Sequence, residues 1–130
     1  MRPTIETTIF TIAQAWATRG TCCKKKVGAV IIDKNNNVLS SGYNGQPRGY
    51  PHCDEAYPCD AFFNPKISCN AIHAEINALI RCLDVDKAHA IFVTEKPCDK
   101  CMLAIRNTFI EYVYYPDDLM EYRKDNIRLK

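Results

Sequence analysis

The sequence lacks both a long hydrophobic run and a strong imbalance of charge. No apolar stretch approaches the roughly 18 residues that a membrane span requires. The 17 basic and 15 acidic side chains leave a formal net charge of only +2, which argues against a nucleic-acid coat or a membrane-surface protein. The first residues show no basic start followed by an unbroken apolar segment, so we expect no secretory signal and a cytoplasmic location.

The chain also lacks a linker or a repeat, and its 130 residues suit one domain. Hydrophobic residues make up 47% and charged residues 25% of the sequence, which is globular composition and excludes a disordered chain. At this length about two thirds of the surface can be buried, so a core can form without help from disulfides.

Cysteine, in contrast, is abundant. The eight cysteines are Cys22, Cys23, Cys53, Cys59, Cys69, Cys82, Cys98 and Cys101. An even number is compatible with disulfides. Because a reducing cytoplasm keeps thiols free, metal binding or catalysis is the better interpretation.

Hydrophobic periodicity predicts helices and strands that alternate along the chain. We predict helices over residues 4–19, 72–83, 97–109 and 117–126, and strands over 27–32, 38–43, 90–94 and 112–115. Residues 72, 76, 79, 80 and 83 form the expected inner face of the second helix, and residues 102, 105 and 109 that of the third. Strands separated by helices indicate an α/β layered domain with a central sheet.

The segment from residue 45 to residue 70 is predicted to be irregular. It holds four prolines and three cysteines and has no hydrophobic period. A loop of this length in a compact domain is usually functional or is clamped by another group.

Three residues have the types and spacing of a catalytic zinc site. His73 opens one predicted helix, while Cys98 and Cys101 open another, where the i, i+3 spacing puts both thiols on one face. The positive end of the helix dipole lowers thiol pKa values and favours the thiolate that binds a metal. Three protein ligands leave the fourth position of a tetrahedral zinc open for water, which is typical of a catalytic site.

Glu75 follows His73 by two residues, close enough to exchange protons with a water beside the zinc. His-Ala-Glu at 73–75 and Pro-Cys-Asp-Lys-Cys at 97–101 match the zinc-deaminase pattern H-x-E followed by P-C-x-x-C. Each half has a plainer alternative, since a histidine can cap a helix and C-x-x-C can be a redox pair or part of a structural zinc site. The combination favours the deaminase, because a four-ligand structural site does not require Glu75.

With these motifs the sequence resembles the deoxycytidylate (dCMP) deaminases of phages and bacteria, within the zinc-dependent cytidine deaminase superfamily. The resemblance covers nearly the whole chain. Besides the zinc motifs it rests on Cys-Cys-Lys-Lys-Lys-Val-Gly-Ala-Val at 22–30, Gly-Tyr-Asn-Gly-Gln-Pro at 42–47 and His-Cys-Asp-Glu at 52–55. It implies a three-layer α/β fold, with a central mixed sheet of about five strands and helices on both faces. It further implies a single domain over 1–130 with a cysteine-rich zinc-binding loop at about 45–72.

The resemblance implies hydrolytic deamination of dCMP to dUMP and ammonia, which supplies dUMP for thymidylate synthesis. Zinc activates the attacking water in this chemistry, and Glu75 is expected to move the protons. It also implies the cytosol of a bacterium or of a phage-infected host, with neither a nucleic-acid nor a membrane partner.

Likeness to the family further assigns residues to the substrate. Asn44 is expected to hydrogen-bond the sugar hydroxyl, although Asn-Gly can equally be a simple turn pair. The Ala74 amide and Val27 are expected to line the base pocket. Lys24 and Arg123 are expected to bind the phosphate; the alternative for the lysine run is a solvated surface.

In similar deaminases four further positions bind a second, structural zinc, and cysteines fill all four here: Cys22, Cys53, Cys59 and Cys69. Four thiolates would clamp the long proline-containing loop. Two alternatives are that some of these thiols are free and buried, or that His52 or Cys23 replaces one ligand.

The resemblance also implies regulation, with dCTP and Mg²⁺ activating and dTTP inhibiting at a site that includes Tyr43, Gly45 and Arg48. It also implies a homo-oligomer, namely a hexamer. The strand over 112–115 is predicted to lie at a sheet edge, and its tyrosines suit an interface between subunits. The chain departs from the family at Lys96, where Ser or Phe often precedes Pro-Cys.

Two other functions stay open. One is a related deaminase of cytidine, cytosine or tRNA adenosine, although the small net charge argues mildly against a tRNA substrate. The other is a non-catalytic module that keeps two zinc ions, which bound metal without ammonia release would support.

Overall fold

The structure, a computed structural model, describes residues 1–21, 25–50, 71–117 and 122–128. Within these ranges there are three helices and five strands. The helices are α1 (Ile5–Ala17), α2 (Ala74–Arg81) and α3 (Asp99–Arg106). A short 3₁₀ turn covers Val85–Lys87. The five strands are β1 (Gly28–Ile32), β2 (Val38–Tyr43), β3 (Ala90–Val93), β4 (Tyr112–Pro116) and β5 (Tyr122–Asn126). None of the helices within the described ranges has the length and apolar character needed to cross a membrane.

The five strands form one mixed sheet in the order β2-β1-β3-β4-β5. β1 runs antiparallel to both β2 and β3, and β5 runs antiparallel to β4. The pair β3 and β4 is parallel, and α3 supplies the crossover that a parallel pair requires. This arrangement confirms the predicted mixed sheet of five strands.

Strands β1 and β3 separate the core into two layers of side chains. Val30 and Phe92 pack with Ile9 and Phe10 of α1 on one face of the sheet. On the other face, alternate residues of β1 and β3 pack with α2 and α3, whose core side chains include Ala78 and Ile105. Every residue of β1 and β3 is buried, so helices cover both faces and the predicted three-layer architecture is confirmed.

The predicted fourth helix over 117–126 is wrong. Residues 122–126 form β5, and residues 118–121 lie outside the described part of the chain. The acidic residues after Pro116 are typical of a helix N-terminus, but backbone pairing with β4 and a hydrogen bond from the Tyr115 hydroxyl to Asp125 (2.6 Å) favour the strand. The tyrosines of β4 therefore do not lie at a sheet edge, since β3 and β5 flank that strand.

The expected inner faces of two helices are also partly wrong. In α2 the buried apolar side chains are the small ones of Ala74 and Ala78. Ile80 is 72% exposed, and Leu83, just beyond the helix, is 95% exposed. The reason is the close approach of α2 to β2, since a Cβ at Gly42 would lie 2.7 Å from the backbone of Ala74 and Ala78. Beyond α3, Phe109 is 71% exposed.

Candidate metal centre and its cavity

The N-termini of α2 and α3 bring three metal-binding side chains together. His73 and Cys98 occupy the N-cap positions of the two helices, and neither makes a capping hydrogen bond with its side chain. Both side chains can therefore turn away from the helix backbone toward Cys101 in the first turn of α3. The ligand atoms of the three residues all lie within 4.8 Å of one another.

The donor set fits a zinc ion. His73 Nδ1 lies 3.2 Å from Cys101 Sγ and 3.7 Å from Cys98 Sγ. Ligands of a tetrahedral zinc lie about 3.6 Å apart, given the usual zinc–sulfur and zinc–nitrogen bond lengths. One imidazole and two thiols are the soft, tetrahedral set that selects zinc, and they leave one position open.

Glu75, in the first turn of α2, is buried beside this group, with only 3% of its surface exposed. Burial raises the pKa of the Cys101 thiol, and the adjacent Glu75 carboxylate raises it further. A divalent cation reverses this preference, because a thiol that coordinates a metal is deprotonated outright. The buried thiol and carboxylate together therefore suit a bound cation.

A cavity of about 290 Å³ opens onto the metal-binding group. His73, Glu75 and Cys98 line one side of it, together with Ala74. Val27 belongs to the lining as well, so the segment that enters β1 contributes to the wall. The volume is close to the lower limit for small-molecule sites, and the combination of an apolar wall with a few polar groups is typical of them.

Asn44 is a structural part of the cavity wall. Its Oδ1 accepts a hydrogen bond from the Val27 amide (2.8 Å), and its Nδ2 donates to the Lys25 carbonyl (2.8 Å). Gly45 pairs through its backbone with Ile72, the residue before His73. The Asn-Gly pair is therefore not a turn. It connects the β1 entrance to the metal-binding segment.

Three further charged residues line the cavity, and the sequence reasoning assigned a role to none of them: Lys25, Glu95 and Lys96. Lys25 Nζ lies 3.9 Å from Glu95 Oε2, and both side chains are more than half exposed. Lys96 Nζ lies 6.0 Å from the centre of the Tyr115 ring. The signal at Lys96 was its departure from the family, while Lys25 was hidden within a run of three lysines.

Residues 3–116 match the family model described as the cytidine and deoxycytidylate deaminase zinc-binding region. The chain belongs to this family. It is 36% identical over 126 residues to the deoxycytidylate deaminase of Mycobacterium phage D29, with 90% of this chain and 98% of that protein covered. The comparison thus bears out the resemblance that the motifs indicated.

Two other proteins are similar in structure or in sequence. The dCMP deaminase of cyanophage S-TIM5 in complex with dCMP and dUMP matches with a TM-score of 0.71 and 28% identity, covering 89% of this chain and 83% of that one. ComE operon protein 2 of Bacillus subtilis is 36% identical over 107 residues, but the match covers 78% of this chain and only 53% of that protein. The architecture is therefore the one expected of the family.

Among the residues expected to bind substrate, Val27, Asn44 and Ala74 line the cavity of this deaminase-family fold. Arg123 lies on β5, where its guanidinium is 3.9 Å from Asp125, and it is not among the described residues that line the cavity. Lys24 lies outside the described residues, as do the four cysteines expected to bind a second zinc: Cys22, Cys53, Cys59 and Cys69. Those expectations stay predictions.

The residues expected to bind effectors lie in and after β2. The Tyr43 ring stacks on Trp16 with centroids 5.8 Å apart and an angle of 11°. The guanidinium carbons of Arg19 and Arg81 each lie 5.8 Å from the centre of the same ring. Gly45 takes part in the bridge to residue 72, and Arg48 is exposed.

Proposed function

We propose that this chain deaminates dCMP hydrolytically and releases dUMP and ammonia. The observation that carries the proposal is the buried Glu75 carboxylate beside the His73, Cys98 and Cys101 group, at the wall of a cavity. Relatives named deoxycytidylate deaminase support the choice of substrate, as does the cyanophage structure with dCMP and dUMP.

His73, Cys98 and Cys101 would hold the catalytic zinc, which when bound lowers the pKa of water and so supplies a nucleophile at neutral pH. Glu75 accepts a proton from the attacking water. It donates that proton to N3 of the cytosine ring as the new C4–O bond forms. It then transfers the second water-derived proton to the exocyclic amine, and ammonia leaves as the C4–N bond breaks.

Glu75 suits this role because it is buried and lies in the first turn of α2. Burial excludes bulk water from the proton transfer. The neighbouring Ala74 amide is one of the first N–H groups of the helix, which have no acceptor within the helix. We assign this amide to a carbonyl acceptor on the base.

Asn44 would position the sugar. An amide NH₂ group has two hydrogens, and the Lys25 carbonyl uses one of them, so one donor remains for the sugar hydroxyl. Because Asn44 also fixes the Val27 amide, the same side chain would hold the wall that Val27 contributes to the base pocket.

The family resemblance supports four further parts of the proposal. Cys22, Cys53, Cys59 and Cys69 would bind a second zinc and clamp the loop at about 45–72. The enzyme would act in the cytoplasm as a hexamer and supply dUMP for thymidylate synthesis.

For regulation we propose that dCTP with Mg²⁺ activates and dTTP inhibits near Tyr43, Gly45 and Arg48. The guanidinium groups of Arg19 and Arg81 both lie over the Tyr43 ring. Within the described residues, no carboxylate lies within 4.0 Å of either group. Two cations with no described carboxylate partner, beside one aromatic ring, suit a nearby polyphosphate.

The test is ammonia release from dCMP, deoxycytidine and CMP, with and without dCTP and Mg²⁺. Glu75→Gln should keep its zinc and lose roughly two to four orders of magnitude in rate. The matched control is Glu6→Gln, which changes the same residue type in the first turn of α1 and should leave the rate unchanged. Zinc-loaded protein without turnover of any of the three compounds would overturn the proposal, and so would an active Glu75→Gln variant.

A further inference from the structure

Within the described part of the chain, the cavity wall carries one positive charge that no acidic side chain neutralises. Of its two lysines, Lys25 faces the Glu95 carboxylate at 3.9 Å. Lys96 has no carboxylate within 4.0 Å among the described residues, and its Nζ lies 6.0 Å from the centre of the Tyr115 ring. An exposed ammonium at the edge of a binding cavity can attract an anionic part of a ligand.

The backbone just before Lys96 is fixed to the start of β1, next to Val27 of the cavity lining. The Thr94 amide donates to the Gly28 carbonyl (3.0 Å), and the Gly28 amide donates to the Thr94 hydroxyl (3.1 Å). On the other side of Lys96, Pro97 is buried and leads directly into the ligand Cys98. The start of the side chain is therefore fixed relative to the metal centre, while its four-carbon stem leaves the ammonium free to reach a ligand.

We propose that Lys96 binds the 5′-phosphate of the substrate and so determines the preference for a nucleotide over a nucleoside. This inference rests on the proposed function. A phosphate dianion requires cations, and lysine binds phosphate as a point charge. Arg123 is paired with Asp125 and is not among the described residues that line the cavity. Lys25 does line it but faces Glu95, so Lys96 is the lining cation without a carboxylate partner among the described residues.

The test compares dCMP with the same molecule lacking the phosphate. The KM for dCMP and the inhibition constant of deoxycytidine against dCMP are measured for the wild type, Lys96→Met and Lys96→Arg. Lys96→Met keeps the length of the side chain and removes its charge, so the KM for dCMP should rise about tenfold, the usual effect of losing one hydrogen bond to a charged group. The inhibition constant of deoxycytidine should change less than about twofold. Lys96→Arg keeps the charge, and its KM should stay within about threefold of the wild type.

Lys100→Met is the matched control, because Lys100 is exposed in the first turn of α3 and is not among the described residues that line the cavity. It should leave both constants unchanged. Raising the salt concentration should weaken dCMP binding to the wild type more than to Lys96→Met.

Equal changes of both constants in Lys96→Met would overturn the inference, as would equal effects of the Met and Arg variants on the KM for dCMP. KM does not depend on the fraction of active enzyme, so partial loss of zinc from a variant would leave the comparison readable. If the zinc-loaded wild type does not turn over dCMP, the proposed function fails as well. Normal turnover with no selective effect at Lys96 removes only this inference.

Discussion

Adding a single methyl group at Gly42 should move α2, the helix that carries the proposed acid–base residue Glu75. A Cβ at this position would lie 2.7 Å from the Ala74 carbonyl oxygen and from the Ala78 amide nitrogen, and both are backbone atoms. Ordinary contact begins at 3.4 Å, so α2 must move away from β2 by about 0.7 Å. His73 is the N-cap of this helix and Glu75 lies in its first turn, so both residues must move with it.

The expected cost of Gly42→Ala has a structural part and a catalytic part. Overpacking of this kind costs about 1–3 kcal/mol, which for a domain of this size lowers Tm by about 3–12 °C. Since a 1 Å misplacement of catalytic groups can cost about 10²-fold in rate, we expect kcat/KM for dCMP to fall at least about tenfold.

The assay measures thermal unfolding and kcat/KM on the same zinc-loaded preparations of the wild type and Gly42→Ala. Ser41→Ala is the control, because it changes the preceding residue of β2 and removes an atom instead of adding one. A Gly42→Ala variant with wild-type Tm and wild-type kcat/KM would refute the argument that the glycine sets the distance between β2 and α2.

Three further outcomes are expected. Chelation should abolish dCMP turnover and lower Tm, and adding Zn²⁺ should restore both. Cys101→Ser should bind one zinc fewer than the wild type, and adding Zn²⁺ should not restore its turnover. An active Cys101→Ser variant would exclude Cys101 as a ligand. The hydrogen bond to Asp125 raises the pKa of Tyr115 above its ordinary value of 10.0. The unfolded chain therefore loses the Tyr115 proton at a lower pH than the folded protein does. The contribution of this hydrogen bond to stability is complete below pH 10 and should be lost as the pH rises above it. Tyr115→Phe should therefore lose less Tm between about pH 9 and 11, and parallel pH curves would contradict this. Ile105→Ala should cost about 2–5 kcal/mol in urea unfolding, against about 0.5 or less for the exposed Leu103→Ala.

The sequence predicted best what depends on neighbours along the chain. The strand over 38–43 has the predicted bounds. The motif residues His73, Cys98 and Cys101 also lie together as predicted. Each of them lies at the start of a helix, and the motif itself indicates where that helix begins. The apolar face of α2 was predicted wrongly because periodicity does not reveal which of two faces meets the sheet. Gly42, more than 30 residues earlier in the chain, decides that choice.

Other features depend on contacts between distant segments. Residues 122–126 become a strand because β4 offers an unpaired edge, and nothing in their own sequence requires it. Sequence reasoning assigned no substrate role to Lys25 or Lys96 for a similar reason. Lys25 and Lys96 are about 70 residues apart, and only the pairing of β1 with β3 brings their segments to the same cavity.

The links between β2 and α2 have a consequence for how the sheet opens. β2 is an edge strand, and edge strands commonly exchange their amide hydrogens early, since they have a partner on one side only. Here the Ser40 hydroxyl donates to the Ala78 carbonyl (2.7 Å), and the side-chain amide of Asn77 donates to the Tyr43 carbonyl (2.8 Å). Opening this edge would therefore also disrupt the helix that begins beside His73. In hydrogen–deuterium exchange β2 should open together with α2 as one cooperative unit, while β5 at the opposite edge exchanges first.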